Sequence, residues 1–314
     1  MVGAATGFRL ALVSACALVL ASGLSCSEDP LLLPPLPDAA VAAAPAPAPE
    51  IDAGTLAERT ARVSVVIGTV EVRRSRQDGW APARAGDELG ADDAIRTGDE
   101  GKLEIDYENI KLRVHERSEF KVKTLTQTDV RGRLRGQLDT EVPEGHGVVE
   151  IEAEGSDAVA RTEGGAFSMT ADGQGIVAVG STSGWASLSA EGESVRIGAG
   201  MVSRVAGKEA PRPPSRALRN VLLSVTWPQQ EETNQKAYPV TGKVEVGSRV
   251  FVGGQQIPVD RHGNFLTSVP LRMGKQRVAV VVSDVLGRKK RLNRNVLYDP
   301  TAPDVRLLKK PWSR

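Results

Sequence analysis

Residues 68–120 read GTVEVRRSRQDGWAPARAGDELGADDAIRTGDEGKLEIDYENIKLRVHERSEF, and this stretch decides the fold. Apolar and polar residues alternate on both sides of the dipeptide Glu108-Asn109. The apolar positions are Leu103, Ile105, Tyr107, Ile110, Leu112 and Val114. A period of two predicts β-strands with one buried face, and the dipeptide between them predicts a tight turn. The stretch is therefore expected to form a half-buried antiparallel hairpin.

Turn sequences recur around this hairpin at short intervals, in QDG, AGDELGADD, TGDEG and SE. The valines on either side of Gly68 predict a strand, a turn or bulge, and a second strand. Residues 137–152, 158–169 and 175–205 continue in short strand-like runs without helical periodicity. The spacing of strands and turns predicts an all-β domain of the sandwich or roll type.

The N-terminal residues are typical of a secretory leader. Arg9 precedes the apolar run LALVSACALVLA at residues 10–21, which has the length of a signal-peptide core and is too short to span a bilayer. The protein is therefore predicted to be exported. Its cysteines are Cys16 and Cys26, both in this region, so the folded part is expected to contain no disulfide.

The sequence LASGLSCSEDP at residues 20–30 resembles a bacterial lipoprotein signal. The resemblance implies that residues 1–26 form a signal peptide and that acylated Cys26 anchors the protein to a membrane. The alternative is ordinary cleavage near residues 21–23, with Cys26 left as a free thiol. Residues 27–57 are rich in Pro and Ala and are expected to act as a stiff linker that holds the following domain away from the membrane.

The chain of 314 residues is long enough for about two domains. The first is predicted at residues 58–207. There the opening GTVEVRR with Trp80, the GDELGAD turns, the IRT strand and the closing VRIGAGMVSRV resemble the FecR-domain family of bacterial envelope proteins. The resemblance covers residues 61–207 and implies a β domain.

The best-known FecR-family member is a transmembrane regulator that holds a sigma factor in the cytoplasm and senses a receptor in the periplasm. This chain is expected to lack the cytoplasmic and spanning segments of that plan. The resemblance therefore implies that the periplasmic module alone is present here.

Residues 208–220 are predicted to be a second linker, residues 221–303 a second domain, and residues 304–314 a basic tail. From residue 239 the chain reads PVTGKVEVGSRVFVGGQQIPVDRHGNFLTSVPLRMGKQRVAVVVSDVLGR, which resembles bacterial Ig-like modules similar to the glucodextranase B-type domain. This second resemblance covers residues 224–303 and implies an immunoglobulin-like β-sandwich that serves as a spacer or a binding module.

Charge is divided unevenly between the two halves. Residues 208–314 contain 20 Lys and Arg against 8 Asp and Glu, whereas residues 1–207 contain 20 against 31. The densest basic cluster is Arg288, Lys289, Lys290 and Arg291, which is a candidate contact patch for anionic lipid or polysaccharide. The alternatives are a solvated hairpin end or docking onto the acidic first domain. No aromatic residues interleave the cluster, so nucleic acid is not expected as a partner.

No constellation of residues predicts catalysis, a cofactor or a metal site. The three histidines, His115, His146 and His262, are far apart in the sequence, and Asp260 with Gly263 favours a plain turn over a calcium loop. Glu104 and Asp106 share a predicted solvent face. Trp80 and Trp185 are expected to anchor the cores, with sugar-stacking platforms as the alternative.

The sequence thus predicts a non-enzymatic envelope protein in the periplasm or at the outer membrane. It is expected to bind or scaffold an envelope protein or a cell-wall polysaccharide. The alternative is an accessory in transmembrane signalling that relays a periplasmic event to a separate regulator.

Overall fold

The computed structural model describes residues 59–301, which form 24 β-strands and no α-helix. The predicted signal peptide with Cys26, the Pro/Ala linker and the basic tail lie outside these residues. No helix that could span a membrane occurs in the described part of the chain. The all-β prediction is confirmed. The strands are β1 (Ala61–Ile67), β2 (Val70–Arg73), β3 (Ala81–Pro82), β4 (Glu88–Leu89), β5 (Ala94–Thr97), β6 (Lys102–Tyr107), β7 (Ile110–Val114), β8 (Glu119–Leu125), β9 (Asp129–Val142), β10 (Val148–Ala153), β11 (Val159–Thr162), β12 (Gly165–Ala171), β13 (Ile176–Ala190), β14 (Glu193–Gly198), β15 (Met201–Ala206), β16 (Ser215–Arg216), β17 (Leu223–Thr226), β18 (Glu232–Thr233), β19 (Ala237–Val244), β20 (Arg249–Val252), β21 (Gln255–Ile257), β22 (Asn264–Pro270), β23 (Gly274–Ser283) and β24 (Lys289–Tyr298).

Strands β1 to β16 belong to one 16-stranded sheet, which we call the first β region. Two long strands, β9 and β13, change partners along their length. β9 pairs first with β8 and β10 and then with β7 and β12. β13 pairs first with β12 and β15 and then with β11 and β14. These exchanges allow the sheet to enclose one apolar core, which extends from Ala61 to Val205.

Gly136 lies where β9 changes partners. Its φ of 116° is in the region that favours glycine, and a Cβ at this position would lie 2.3 Å from Ser118 Oγ. Ser118 Oγ instead accepts a hydrogen bond of 2.9 Å from the backbone amide of Gln137. Only glycine therefore permits the approach of β9 to the turn before β8.

The predicted hairpin is formed by β6 and β7. Its Cα partners are Leu103 with Val114, Ile105 with Leu112, and Tyr107 with Ile110, and all six side chains are buried. The connecting residue Glu108 has a φ of 52°, so the tight turn holds a non-glycine residue in the left-handed region. The alternation therefore predicted the buried face, and the tight turn predicted the register.

Strands β17 to β24, the second β region, form two sheets. One has the order β17-β19-β22 and the other β18-β24-β23-β20-β21. Their facing side chains form a second apolar core that includes Tyr238, Val240, Phe265 and Val280. The short strand β16, within the residues predicted as a linker, pairs with β15 of the first region.

Candidate functional site

The two β regions contact each other along a surface that we call the junction. Ala178 and Val202 of the first region and Val285 of the second form a small buried cluster, with Leu286 packed against it. Gly247 also lies here, with a φ of 85°, and a Cβ on it would be 2.4 Å from the Cβ of Ala178. The backbones of the two regions therefore approach as closely as a glycine allows.

A buried glutamine connects the regions by hydrogen bonds. Gln137 Nε2 donates to the carbonyl oxygens of Asp284 at 3.2 Å and Val285 at 3.3 Å. Its Oε1 accepts from Ser283 Oγ at 3.3 Å. Since Gln137 is 1% exposed, partners from the second region satisfy an amide that would be costly to bury alone.

Charged groups also cross the junction. Arg204 Nε donates to the carbonyl oxygen of Val246 at 2.8 Å, and its Nη2 pairs with the Glu245 carboxylate. Burial lowers the pKa of Arg204, and the charge of Glu245 opposes this effect. Lys289 Nζ donates to Glu116 Oε1. Burial raises the pKa of Glu116, but hydrogen bonds from Lys289 and its own backbone amide, with the charges of Lys289 and Arg249, hold it below its ordinary value.

Arg249, at the start of β20, is 5% exposed and lies deep in the junction. Its Nη2 donates to the carbonyl oxygens of Glu116 at 2.7 Å and Arg117 at 3.0 Å, and to Gln256 Oε1 at 3.2 Å. Its Nε and Nη1 are buried and have no hydrogen-bond partner among the described residues. Burial lowers the pKa of Arg249 to about 10, so the group remains charged at neutral pH.

A cleft of about 400 Å³ opens beside Arg249, between the two β regions. One wall comes from the ends of β5, β8, β12 and β13 and from the middle of β9, and the other comes from β20 and β21. The charged residues that line it are Arg96, Arg117, Arg135, Arg249, Glu119 and Asp172. Arginine therefore outnumbers acidic residues in the lining by four to two.

The partners of these residues determine how much charge the cleft presents. Arg96 Nε pairs with Glu71 at 2.5 Å, and Arg117 Nη2 with Asp99 at 2.7 Å. Arg135 is exposed and forms no hydrogen bond or ion pair with the described residues. Asp172 Oδ1 accepts hydrogen bonds from two backbone amides of its own turn. The charged groups of the lining that form no hydrogen bond or ion pair thus include Arg135, part of Arg249, and Glu119, and the charge of Glu119 acts on Arg96.

The basic cluster predicted from the sequence is divided by the fold. Arg288 pairs with Asp284 of its own hairpin at 2.6 Å, and Lys289 reaches Glu116 of the first region. Lys290 and Arg291 are exposed and have no partner among residues 59–301. The contact patch stays a prediction, and these last two residues are the part of it with free cations. Cys26, the predicted lipidation site, lies outside the described residues.

The prediction that two tryptophans anchor the cores is wrong. Trp80 and Trp185 are only partly buried and belong to neither apolar core. Arg96 lies over the Trp80 ring at 4.4 Å and Arg73 at 5.0 Å, and Arg196 lies over Trp185 at 4.3 Å. Both indoles therefore stack under guanidinium groups near the surface, a typical cation–π arrangement.

The other sequence candidates lie apart from the cleft. His115 bonds to Asp139 at 2.7 Å and His146 to Asn109 at 3.0 Å. Within residues 59–301 no three His, Cys, Asp or Glu side chains are grouped to hold a metal ion. Asp260 accepts hydrogen bonds from the Asn264 side chain and from the backbone amides of residues 262 and 264, and those from Asn264 lower its pKa. It therefore closes a plain turn.

Glu104, which shares a predicted solvent face with Asp106, is paired with Arg113 at 2.8 Å. Sequence reasoning missed both Arg249 and Gln137. In β20 the side chains of Val250 and Val252 belong to the second core. Since side chains alternate along a strand, Arg249 lies on the opposite face of the sheet. That position is a weak signal, because an arginine on the outer face of a sheet ordinarily points into solvent.

Comparison with known proteins gives distant likenesses only. No family model and no curated protein matches the chain. Two crystal structures of a protein from Parabacteroides distasonis described as an anti-sigma factor are 11% and 10% identical, each with a TM-score of 0.35. Each match covers 39% of this chain and 59% of that one. A polysaccharide lyase matches over 77% of this chain and 40% of its own length, at 10% identity and a TM-score of 0.20. Similarity at this level assigns neither a family nor a function.

Proposed function

We propose that the protein is a non-enzymatic, exported binding or scaffold protein of the bacterial envelope. The observation that carries the proposal is the arginine-lined cleft between two β regions in contact through a buried junction. Ligand sites commonly form in clefts between packed structural units. The lining supplies guanidinium, hydroxyl and amide groups, which suit the recognition of a polar partner. Function is inferred from this site and not from the fold.

The proposed setting comes from the N-terminal sequence. The apolar leader with Cys26 supports export and a lipid anchor, and the Pro/Ala linker supports display of the β regions away from the membrane. The proposed location is the periplasm or the outer membrane. The proposed partner is an envelope protein or a cell-wall polysaccharide.

Crosslinking in intact cells, followed by membrane fractionation and affinity recovery, tests the proposed function. We expect recovery with the membrane and with outer-membrane or cell-wall material. Recovery with a transmembrane regulator as the main partner would instead favour a signalling accessory, and recovery in the cytoplasm would contradict both. Cys26→Ser is expected to release the protein from the membrane fraction. Cys16→Ser, within the same leader, is the matched control and is expected to leave it attached.

A further inference from the structure

We propose that the cleft binds an oxyanion, the carboxylate or phosphate group of an acidic envelope saccharide, through Arg135, Arg117 and the buried Arg249. This inference rests on the proposed function, because it names the ligand class of the same site. A guanidinium group presents a planar fork of N–H donors that matches a carboxylate or a phosphate. An arginine-rich cleft is therefore suited to an anionic group.

The first argument is the excess of cations that lack a counter-charge. Arg135 has no partner among the described residues. Arg117 donates to the neutral carbonyl oxygen of Gly254 and pairs with Asp99, which is 76% exposed, so solvent screens this pair. Of the two acids in the lining, Asp172 is occupied by backbone amides. Glu119 lies across strand pairs from both Arg96 and Arg135 without a salt bridge to either, and its charge acts on Arg96. The lining itself therefore holds four arginines against two carboxylates, Glu119 and Asp172, an excess of two positive charges.

The second argument is the buried Arg249. A buried charge is costly unless it is paired and hydrogen-bonded. In the Arg249 guanidinium group only Nη2 has hydrogen-bond partners, and these are neutral oxygens. The group forms no ion pair with the described residues. The nearby Glu116 gives one carboxylate oxygen to Lys289, and its other oxygen is buried without a partner. The single negative charge of Glu116 thus lies near two cations, Lys289 and Arg249. An anion bound in the cleft would balance the charge of Arg249.

The third argument is the size of the cleft and the neutral polar side chains that line it. A volume of about 400 Å³ falls within the range of roughly 300–1,000 Å³ typical of small-molecule sites. Ser248 and Gln174 line the cleft, and their side chains form no hydrogen bond with the described residues. A hydroxyl and an amide beside the arginines can bond sugar hydroxyl groups, which favours an acidic saccharide over a bare ion.

Isothermal titration calorimetry of the purified chain with inorganic phosphate, glucuronate and neutral glucose tests the proposal. We expect binding of at least one anion and none of glucose. Binding of glucuronate alone identifies a carboxylate saccharide as the source, and binding of phosphate alone identifies a phosphorylated one. Arg135→Gln should weaken this binding about tenfold, as expected for a lost hydrogen bond to a charged group. Arg62→Gln, which removes an exposed arginine outside the cleft, should leave it unchanged.

Three results would overturn the proposal. The first is that neither phosphate nor glucuronate gives heat of binding up to about 10 mM. The second is that glucose binds as strongly as the anions. The third is that Arg135→Gln and Arg62→Gln weaken anion binding to the same extent. Arg135 is exposed and unpaired, so its substitution is expected to fold, and urea unfolding of each variant checks this. Arg249→Met, which keeps much of the side-chain volume, gives a second arm and should also weaken anion binding. Crosslinking in cells is independent of these titrations, so failure of the anion site alone leaves envelope localisation and partner recovery intact.

Discussion

Glu116 and Lys289 lie 173 residues apart in the chain and form an ion pair across the junction, with a distance of 2.5 Å between Lys289 Nζ and Glu116 Oε1. The Glu116 side chain is 9% exposed and that of Lys289 is 46% exposed. The carboxylate is therefore shielded while the ammonium group remains in contact with solvent. The pair joins the acidic half of the sequence to its densest basic cluster.

Glu116→Gln is expected to lower the free energy of unfolding at pH 7 by about 1–2 kcal/mol, less than for a fully buried pair because Lys289 is half exposed. The folded pKa of Glu116 lies below its ordinary value of 4.5. Its contribution is therefore present above pH 4.5 and is lost as the pH falls through the folded pKa. Urea unfolding of both proteins from pH 7 to pH 3 should show the difference between them shrinking toward the acid end.

Glu193→Gln is the matched control for this measurement. Glu193 is exposed and has no ion pair among the described residues, so its substitution should change the free energy of unfolding by less than about 0.5 kcal/mol at any pH. A Glu116→Gln deficit of the same size at pH 3 and pH 7 would show that its ionisation is not the source.

Gln137→Leu is expected to loosen the junction. The substitution removes the donor to the carbonyl oxygens of Asp284 and Val285, and the Val285 oxygen is left buried without it. A buried unsatisfied carbonyl costs about 1–3 kcal/mol, so stability should fall by that amount. Gln77→Leu, at an exposed position, is the control.

The same variant tests whether the junction couples the two β regions. Wild type should unfold in one urea transition, whereas Gln137→Leu should broaden it or separate it into two. Equal cooperativity and equal stability in Gln137→Leu and Gln77→Leu would contradict a coupling role for this amide.

The local β structure was predictable because it depends on neighbouring residues. Alternation between Leu103 and Val114 determined which side chains are buried, and the turn between them determined the register. The junction was not predictable in this way. The partners of Arg249 in the first region lie more than 130 positions earlier in the chain, and its strand position alone indicates an ordinary outer-face residue.

Tryptophan placement also depends on distant residues. Trp80 was expected in a core because large aromatic side chains usually contribute most to apolar burial. The fold instead brings Arg73 and Arg96, on the paired strands β2 and β5, over its ring. Composition favours burial of an indole in general, but the sequence does not reveal which strands will pair beside it.

Trp80→Ala should therefore cost less stability than truncation of a core aromatic residue. Loss of a half-buried ring and of two partly exposed cation–π contacts should lower the free energy of unfolding by about 1–2 kcal/mol. Phe120→Ala, at a side chain with 0% exposure, should cost about 3–5 kcal/mol. Guanidinium denaturation of both variants measures the two losses of stability. Equal losses would contradict the prediction, because they would show that Trp80 contributes as much as a core aromatic residue.

Gly247→Ala should separate the two β regions. Gly254→Ala is the control that separates the effect of the added Cβ from that of backbone strain. Both glycines have nearly the same φ, 85° and 87°, so both variants carry a similar backbone strain of about 1–2 kcal/mol. A Cβ at Gly254 meets nothing within 4 Å, whereas a Cβ at Gly247 lies 2.4 Å from the Ala178 Cβ. Gly247→Ala should therefore lose at least about 1–3 kcal/mol more than Gly254→Ala, the usual cost of overpacking, and show two urea transitions. An equal loss of stability in the two variants would contradict this prediction, because it would show that the junction accommodates a Cβ at position 247 without destabilisation.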